Sequence, residues 1–186
     1  EVTGFLYADE TMLQPLWWLY LVLLVFILVF GLHRWHMVWL YYKNRKHVPR
    51  CNRCFPELPC VTVQLPMYNE LYVAERVIKA AAAISYPCDK LHIQVLDDST
   101  DETQRIARET VANIAATGVN IEYLHRSDRV GFKAGALEAG MASATGEYIV
   151  VFDADFVPAS DTLTQAIHYF TEPEVGMVQL RWDHIN

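Results

Sequence analysis

Two kinds of apolar pattern divide the chain. From Thr11 to Leu32 no residue is charged, and Leu16–Phe30 is almost wholly Leu, Val, Ile, Phe and Trp. An apolar run with no polar face predicts a helix, and ~20 such residues suffice to cross a bilayer's hydrocarbon core. Beyond residue 60 the blocks shorten and become periodic. Val61–Leu65 reads as a buried strand ended by Pro66, and Tyr72–Ile84 as a helix with Val73, Val77, Ile78 and Ala81 on one face. The remaining blocks are strand Ile93–Leu96, helix Glu102–Ala116, strand Ile121–Leu124, helix Lys133–Ala144, strand Tyr148–Phe152, helix Leu163–Phe170 and strand Val175–Leu180. Strands that alternate with helices predict the α/β class: a mostly parallel sheet with helices on both faces, here preceded by one transmembrane helix.

Charge orients the first segment. Glu1, Asp9 and Glu10 precede the apolar run, while Lys43, Arg45, Lys46 and Arg50 follow it. A secretory signal peptide would need a shorter core of ~7–15 residues with positive charge ahead of it. The reading is therefore an anchor, with an extracytoplasmic segment at 1–12, a membrane helix at 13–42 and the rest in the cytoplasm. Trp17, Trp18 and Tyr20 at one end, and Trp35, Trp39, Tyr41 and Tyr42 at the other, suit the two interfaces. The expected site is a plasma, inner or Golgi membrane, with the lipid bilayer as a partner. Glu1 in place of Met, and the stop at Asn186 after an apolar stretch, read as cut or processed ends.

Residues 43–60 form a basic, Cys-containing linker. Cys51-x-x-Cys54 with Cys60 offers part of a zinc site, and His47 is the nearest further ligand. No fourth ligand has structural zinc spacing, so ordinary reduced thiols are the reading carried forward. Net charge is −7 and no clustered basic face stands out, which argues against a nucleic-acid partner.

In parallel sheets, ligands bind beyond the carboxyl ends of the strands. Polar residues gather at those ends: Tyr68-Asn69-Glu70, Asp97-Asp98, Arg126 to Lys133, and Asp153-Ala154-Asp155. Two carboxylates around one small residue can hold Mg²⁺ or Mn²⁺ together with substrate phosphates, although Asp also caps turns. Arg126, Arg129 and Lys133, with Gly131 and Gly135 at a helix start, suit a diphosphate or, more plainly, a solvated loop. Asp98 can accept N–H donors from a nucleobase, and Tyr68 offers a face for stacking. Taken singly, Asp98 is better explained as a capping residue and Tyr68 as a core residue.

In sequence and spacing, Pro66-x-Tyr68-Asn69-Glu70, Asp97-Asp98-Ser99, Lys133-Ala134-Gly135-Ala136-Leu137 and Asp153-Ala154-Asp155 together resemble family-2 glycosyltransferases of the GT-A (Rossmann-like) fold. Within that family they are most similar to membrane synthases of the cellulose synthase and glucomannan (mannan) synthase group. The resemblance covers 61–186 and implies the N-terminal, nucleotide-sugar-binding part of such a domain. It implies inverting hexose transfer from UDP-glucose or GDP-mannose to a growing β-glycan acceptor, with Mg²⁺ or Mn²⁺. By the same resemblance Pro66, Tyr68, Glu70 and Asp98 hold the nucleotide, with the base and ribose falling to the last three. Lys133 lies near the diphosphate, Asp153 supports the nucleotide, and Asp155 with Asp153 binds the metal. The general base is expected downstream of Asn186, so this stretch alone should bind donor without polymerising. Gln179-Leu180-Arg181-Trp182 has one residue between Gln and Arg and resembles a segment upstream of that base. The alternatives are a non-processive enzyme acting on a lipid acceptor and a non-catalytic nucleotide-binding membrane module.

Overall fold

The computed structural model describes residues 10–46, 51 and 53–180. The acidic start before Glu10, His47 and Arg50 of the linker, and Arg181-Trp182 lie outside the described residues. The chain separates into two compact units, 1–50 and 51–186.

The first unit is helix α1, Glu10–Asn44. At 1.5 Å per residue its 35 residues extend about 50 Å, well beyond a ~30 Å hydrocarbon core. From Gln14 onward it is the one helix, among the described residues, long and apolar enough to cross a membrane. Its large apolar side chains are exposed all round, which suits lipid rather than water. The last turns carry cations on aromatic faces: Lys43 over Trp39 at 4.8 Å and Arg45 over Tyr42 at 5.1 Å.

The second unit is built on four parallel strands: β1 Val61–Met67, β2 Leu91–Asp97, β3 Ile121–His125 and β4 Tyr148–Val151. They lie in the order β3-β2-β1-β4. Helices α2 (Ala74–Ala82), α3 (Thr103–Ala115) and α4 (Phe132–Met141) connect them. Every residue of β1 and β2 is buried, as a sheet covered on both faces requires. One face carries Val61, Val63, Leu65, Ile93 and Val95. Against it α2 packs Ala74, Val77, Ile78 and Ala81, an i, i+3, i+4, i+7 stripe; of the face expected from the sequence, Val73 is instead the half-buried residue that precedes the helix.

The other face is polar beneath α4. The Gln64 amide donates to Gln94 at 2.9 Å, and Gln94 donates to the Gly140 carbonyl, Ser143 and Glu122, each at 2.9 Å. Helix α4 comes this close because Gly140 has no side chain: a Cβ there would lie 2.6 Å from Gln64 Nε2.

Three elements differ from the sequence reading. Strand β1 continues through Pro66 to Met67. The ring's missing N–H falls on the β4 side, where pairing has already ended at Gln64–Val151, so no ladder bond is lost. The helix expected at Leu163–Phe170 is instead a short α5, Thr162–Ala166, tightening into a 3₁₀ turn at Ile167–Thr171. Leu163 and Ile167 are buried as the periodicity requires. The tighter turn holds the His168 carbonyl against the Cys51 thiol and its ring against the Phe55 N–H. Val175–Leu180 is not a strand. Val175, Val178 and Leu180 are half-buried, but Gly176 and Met177 are exposed in succession, and the segment pairs with no strand among the described residues.

Replacing Gln94 by Leu removes the shared partner of Gln64, Gly140 and Ser143. The expected cost is about 1–3 kcal/mol, read as a lower thermal midpoint of the detergent-solubilised chain. A midpoint equal to wild type contradicts a structural role for this polar layer.

Candidate functional site

Strand order reverses at β1: β2 and β3 lie to one side of it and β4 to the other. The crevice beyond the carboxyl ends at such a switch point is where open α/β sheets bind ligands. Here β1 outruns β4, and a cavity of about 320 Å³ opens in the step between them. Its walls are Pro66, Met67, Tyr68, Glu70, Asp98, Arg129, Lys133, Ala136, Asp153, Ala154 and Asp155. Pro66, Tyr68, Glu70, Asp98, Lys133, Asp153 and Asp155, to which the resemblance gives roles, are all among them, whereas Arg126 is not, although the chain separates Pro66 from Asp155 by the whole βα succession.

The loop after β1 is tied to the loop after β2. Asn69 takes a left-handed backbone (φ 55°), its N–H donates to Ser99 at 2.8 Å, and its side-chain oxygen accepts from the Thr100 N–H at 2.9 Å. The two aspartates that end β2 diverge. Asp97 is fully buried and turned inward, accepting from the Ser99 N–H at 2.9 Å and the Tyr123 hydroxyl at 2.5 Å. Burial, then the bond to Asp97, push the Tyr123 phenol above its ordinary range, so it stays a donor. Asp98 faces the cavity, but its carboxylate already grips Arg126 with both oxygens, Nε at 2.9 Å and Nη2 at 2.6 Å. That bond holds the Arg126 guanidinium charged above its usual range. A carboxylate offers about four acceptor positions, so room for a further donor remains.

Arg126 also donates to the carbonyls of Val130 and Phe132, at 3.2 and 3.1 Å. These bonds shape a tight loop with positive φ at Arg129 (39°), Gly131 (74°) and Phe132 (51°). The loop folds back on the first turn of α4, and Gly135 is what allows it: a Cβ there would fall 2.0 Å from the Val130 oxygen. The three cations that the sequence offers as one group are thus divided. Arg126 is spent on Asp98 and the loop, Arg129 lies on Tyr68 with its guanidinium carbon 3.3 Å from the ring centre, and Lys133 pairs with Asp153. Nothing in a single sequence signals that division.

Asp153 and Asp155 both project from an exposed turn after β4, while Ala154 between them is buried against the core. A larger middle residue would have to displace that packing. Asp155 has no hydrogen bond or ion pair among the described residues. Nor do those residues gather three or more His, Cys, Asp or Glu around any one metal position. A pair of hard carboxylate oxygens, one set free, fits a cation that completes its shell with phosphate and water, as Mg²⁺ commonly does. In the linker, the Cys51 thiol donates to the carbonyls of Arg53 (2.6 Å) and His168 (3.0 Å), and Cys54 and Cys60 are exposed free thiols.

The family model described as Glycosyl transferase family 2 matches residues 62–186. "Probable glucomannan 4-beta-mannosyltransferase 7" of Oryza sativa subsp. japonica is 46% identical over 135 residues, covering 70% of this chain and 23% of that protein. "Glucomannan 4-beta-mannosyltransferase 2" of Arabidopsis thaliana is 44% identical over 133 residues, covering 69% and 25%. The chain therefore spans about a quarter of the length of these relatives. Among solved structures, the mannosyltransferase PcManGT from Pyrobaculum calidifontis, in complex with GDP-Man and Mn²⁺, aligns with a TM-score of 0.65. It shares 32% identity over 81% of this chain and 44% of its own. S. aureus TarS 1-349 in complex with UDP-GlcNAc shares the fold, at 24% identity and a TM-score of 0.52 over 61% of this chain and 31% of its own.

Gly135→Ala should displace the Val130 carbonyl and slacken the Arg126-bound loop, at about 1–3 kcal/mol. Trypsin is expected to cut after Arg129 faster in the variant than in wild type; equal rates would mean that Gly135 is not what lets the loop close.

Proposed function

The chain belongs to glycosyltransferase family 2, and on that footing we propose that it forms the donor-binding part of a membrane-anchored, inverting mannosyltransferase. The donor is GDP-mannose and the acceptor the growing end of a β-linked glycan. The observation that carries this reading is the single cavity that Tyr68, Asp98, Asp153 and Asp155 line together. A nucleoside diphosphate sugar needs such a lining: a flat apolar face for the base, acceptors for its N–H groups, and a cationic end for the diphosphate. GDP-mannose is favoured over UDP-glucose because the Oryza sativa and Arabidopsis thaliana relatives bear mannosyltransferase names and the Pyrobaculum calidifontis structure at 32% identity is a complex with GDP-Man and Mn²⁺.

In this reading the base lies beside Tyr68 and the guanidinium that covers its ring, Asp98 takes its N–H donors, and Glu70 accepts from the ribose hydroxyls. Pro66, whose nitrogen carries no hydrogen, leaves the cavity floor free of a competing donor. Mg²⁺ or Mn²⁺, when bound, neutralises the charge that develops on the departing nucleoside diphosphate. Asp155 is the carboxylate ready to hold it, and Asp153 is the second once it parts from Lys133. The freed Lys133 ammonium then faces the diphosphate from the first turn of α4, where the helix N-terminus also favours negative charge. The acceptor hydroxyl needs a general base; following the family pattern, that role is assigned to a later segment of the protein.

Calorimetry with GDP-mannose and Mn²⁺ tests the assignment. Asp155→Asn should abolish the enhancement of binding by Mn²⁺ without lowering the thermal midpoint; unchanged Mn²⁺-dependent affinity sinks the metal role. Lys133→Met should bind Mn²⁺ alone more tightly than wild type, because the competing cation is gone, yet bind GDP-mannose with Mn²⁺ about tenfold less tightly. In sealed vesicles, protease added from the cytoplasmic side should reach the chain beyond Lys43, and protection there would reverse the proposed orientation.

A further inference from the structure

Lys133 and Arg129 both line the cavity, but at different partners. Lys133 sits on Asp153, next to the free Asp155, and so belongs to the diphosphate end. Arg129 sits on Tyr68, with its guanidinium carbon 3.3 Å above the ring centre and 5.1 Å from that of Phe132. It is only partly exposed. Its N–H groups donate to no described residue, in contrast to Arg126, all three of whose nitrogens are used. A guanidinium that rests by its face on an aromatic ring keeps its donors in its own plane, aimed sideways rather than at the ring. Tyr68 thus serves as a shelf for a donor fork that has nothing within the protein to hold.

The fork is also placed with little freedom. Arg126, gripped by Asp98, binds the carbonyls on both sides of Gly131, and so fixes the loop that presents Arg129. The groups that a planar fork of N–H donors matches are a carboxylate, a phosphate, or two adjacent acceptors on a base edge. The first has no place in the proposed donor, and the second is served by Lys133 and the Asp153–Asp155 metal position. The third remains. Guanine presents O6 and N7 side by side, which Arg binds with two parallel bonds. Uracil's two carbonyls flank an N–H and cannot be spanned in that way.

We propose that Arg129 is a specificity-determining residue that reads the O6/N7 edge of a guanine base lying beside Tyr68, in the plane of the guanidinium that covers its ring, and so selects GDP-sugars over UDP-sugars. This rests on the donor-site reading above and adds the residue that chooses the base. A bidentate arginine–guanine contact discriminates by about ten- to a hundredfold.

The test is calorimetry of the intact, detergent-solubilised chain with GDP and with UDP, each with Mn²⁺, for wild type, Arg129→Met and Arg129→Lys. Wild type should prefer GDP at least about tenfold. Both variants should lose most of that preference, with GDP weakened about tenfold or more and UDP changed less than about twofold. Lysine should fail nearly as badly as methionine, because it keeps the charge but not the fork. Equal weakening of GDP and UDP would make Arg129 a phosphate contact, and no weakening of either would make it a bystander; both overturn the proposal while leaving Mn²⁺-dependent donor binding intact. A wild-type preference for UDP overturns it too. Failure of wild type to bind either nucleotide overturns the donor site itself, and this inference with it. Thermal midpoints matching wild type check that the variants are folded.

Discussion

The ion pair between Asp98 and Arg126 is the constraint on which the rest of the cavity depends. The Asp98 side chain is 4% exposed and that of Arg126 18%, so both charges have lost much of their hydration. Such a pair is worth keeping only when its geometry is good and its remaining hydrogen-bonding groups are satisfied. Here the carboxylate is gripped through both oxygens, and the other guanidinium contacts go to the Val130 and Phe132 carbonyls. The pair therefore does more than neutralise itself. It pins the end of β2 to the loop before α4, which carries Arg129 and leads into the helix turn that carries Lys133.

Topology supplies what the pair then organises. A parallel sheet delivers every strand end to the same edge, and a reversal of strand order at β1, with β4 ending short of it, leaves a crevice beyond their paired residues. Close packing of α4 completes the arrangement. Gly140 lets that helix rest on the Gln64–Gln94 layer, and Gly135 lets the preceding loop fold over its first turn. With α4 so fixed, Lys133 meets Asp153 rather than open water. Sheet, polar layer and loop act in series, each setting the position of the next.

Much of this was readable from residue order. Strands β1 to β4 stand out as short apolar blocks followed by polar residues, and the parallel-sheet rule places those ends together without further information. The stripe Val77, Ile78, Ala81 identified α2. What could not be read was how charges pair across loops. Asp97 and Asp98 are neighbours of one chemical type, yet one is buried against Tyr123 and the other faces the cavity; only the alternation of a strand that runs to Asp97 separates them. Pro66 looked like a strand end because local rules treat its missing N–H as a loss, whereas the early stop of β4 makes that loss harmless. Val175–Leu180 is apolar enough to read as a strand, but pairing depends on a neighbour that no local pattern encodes.

The central claim is that one extended ligand joins the Tyr68 end of the cavity to the Asp155 end. The most direct measurement is an anomalous-diffraction map of the protein crystallised with GDP-mannose and Mn²⁺. The account predicts a manganese peak within about 2.0–2.3 Å of an Asp155 oxygen and of the diphosphate, by analogy with hard cations bound through oxygen, and density for the base beside Tyr68. Manganese held elsewhere, or a base seated at Lys133 with the phosphates toward Tyr68, would contradict it.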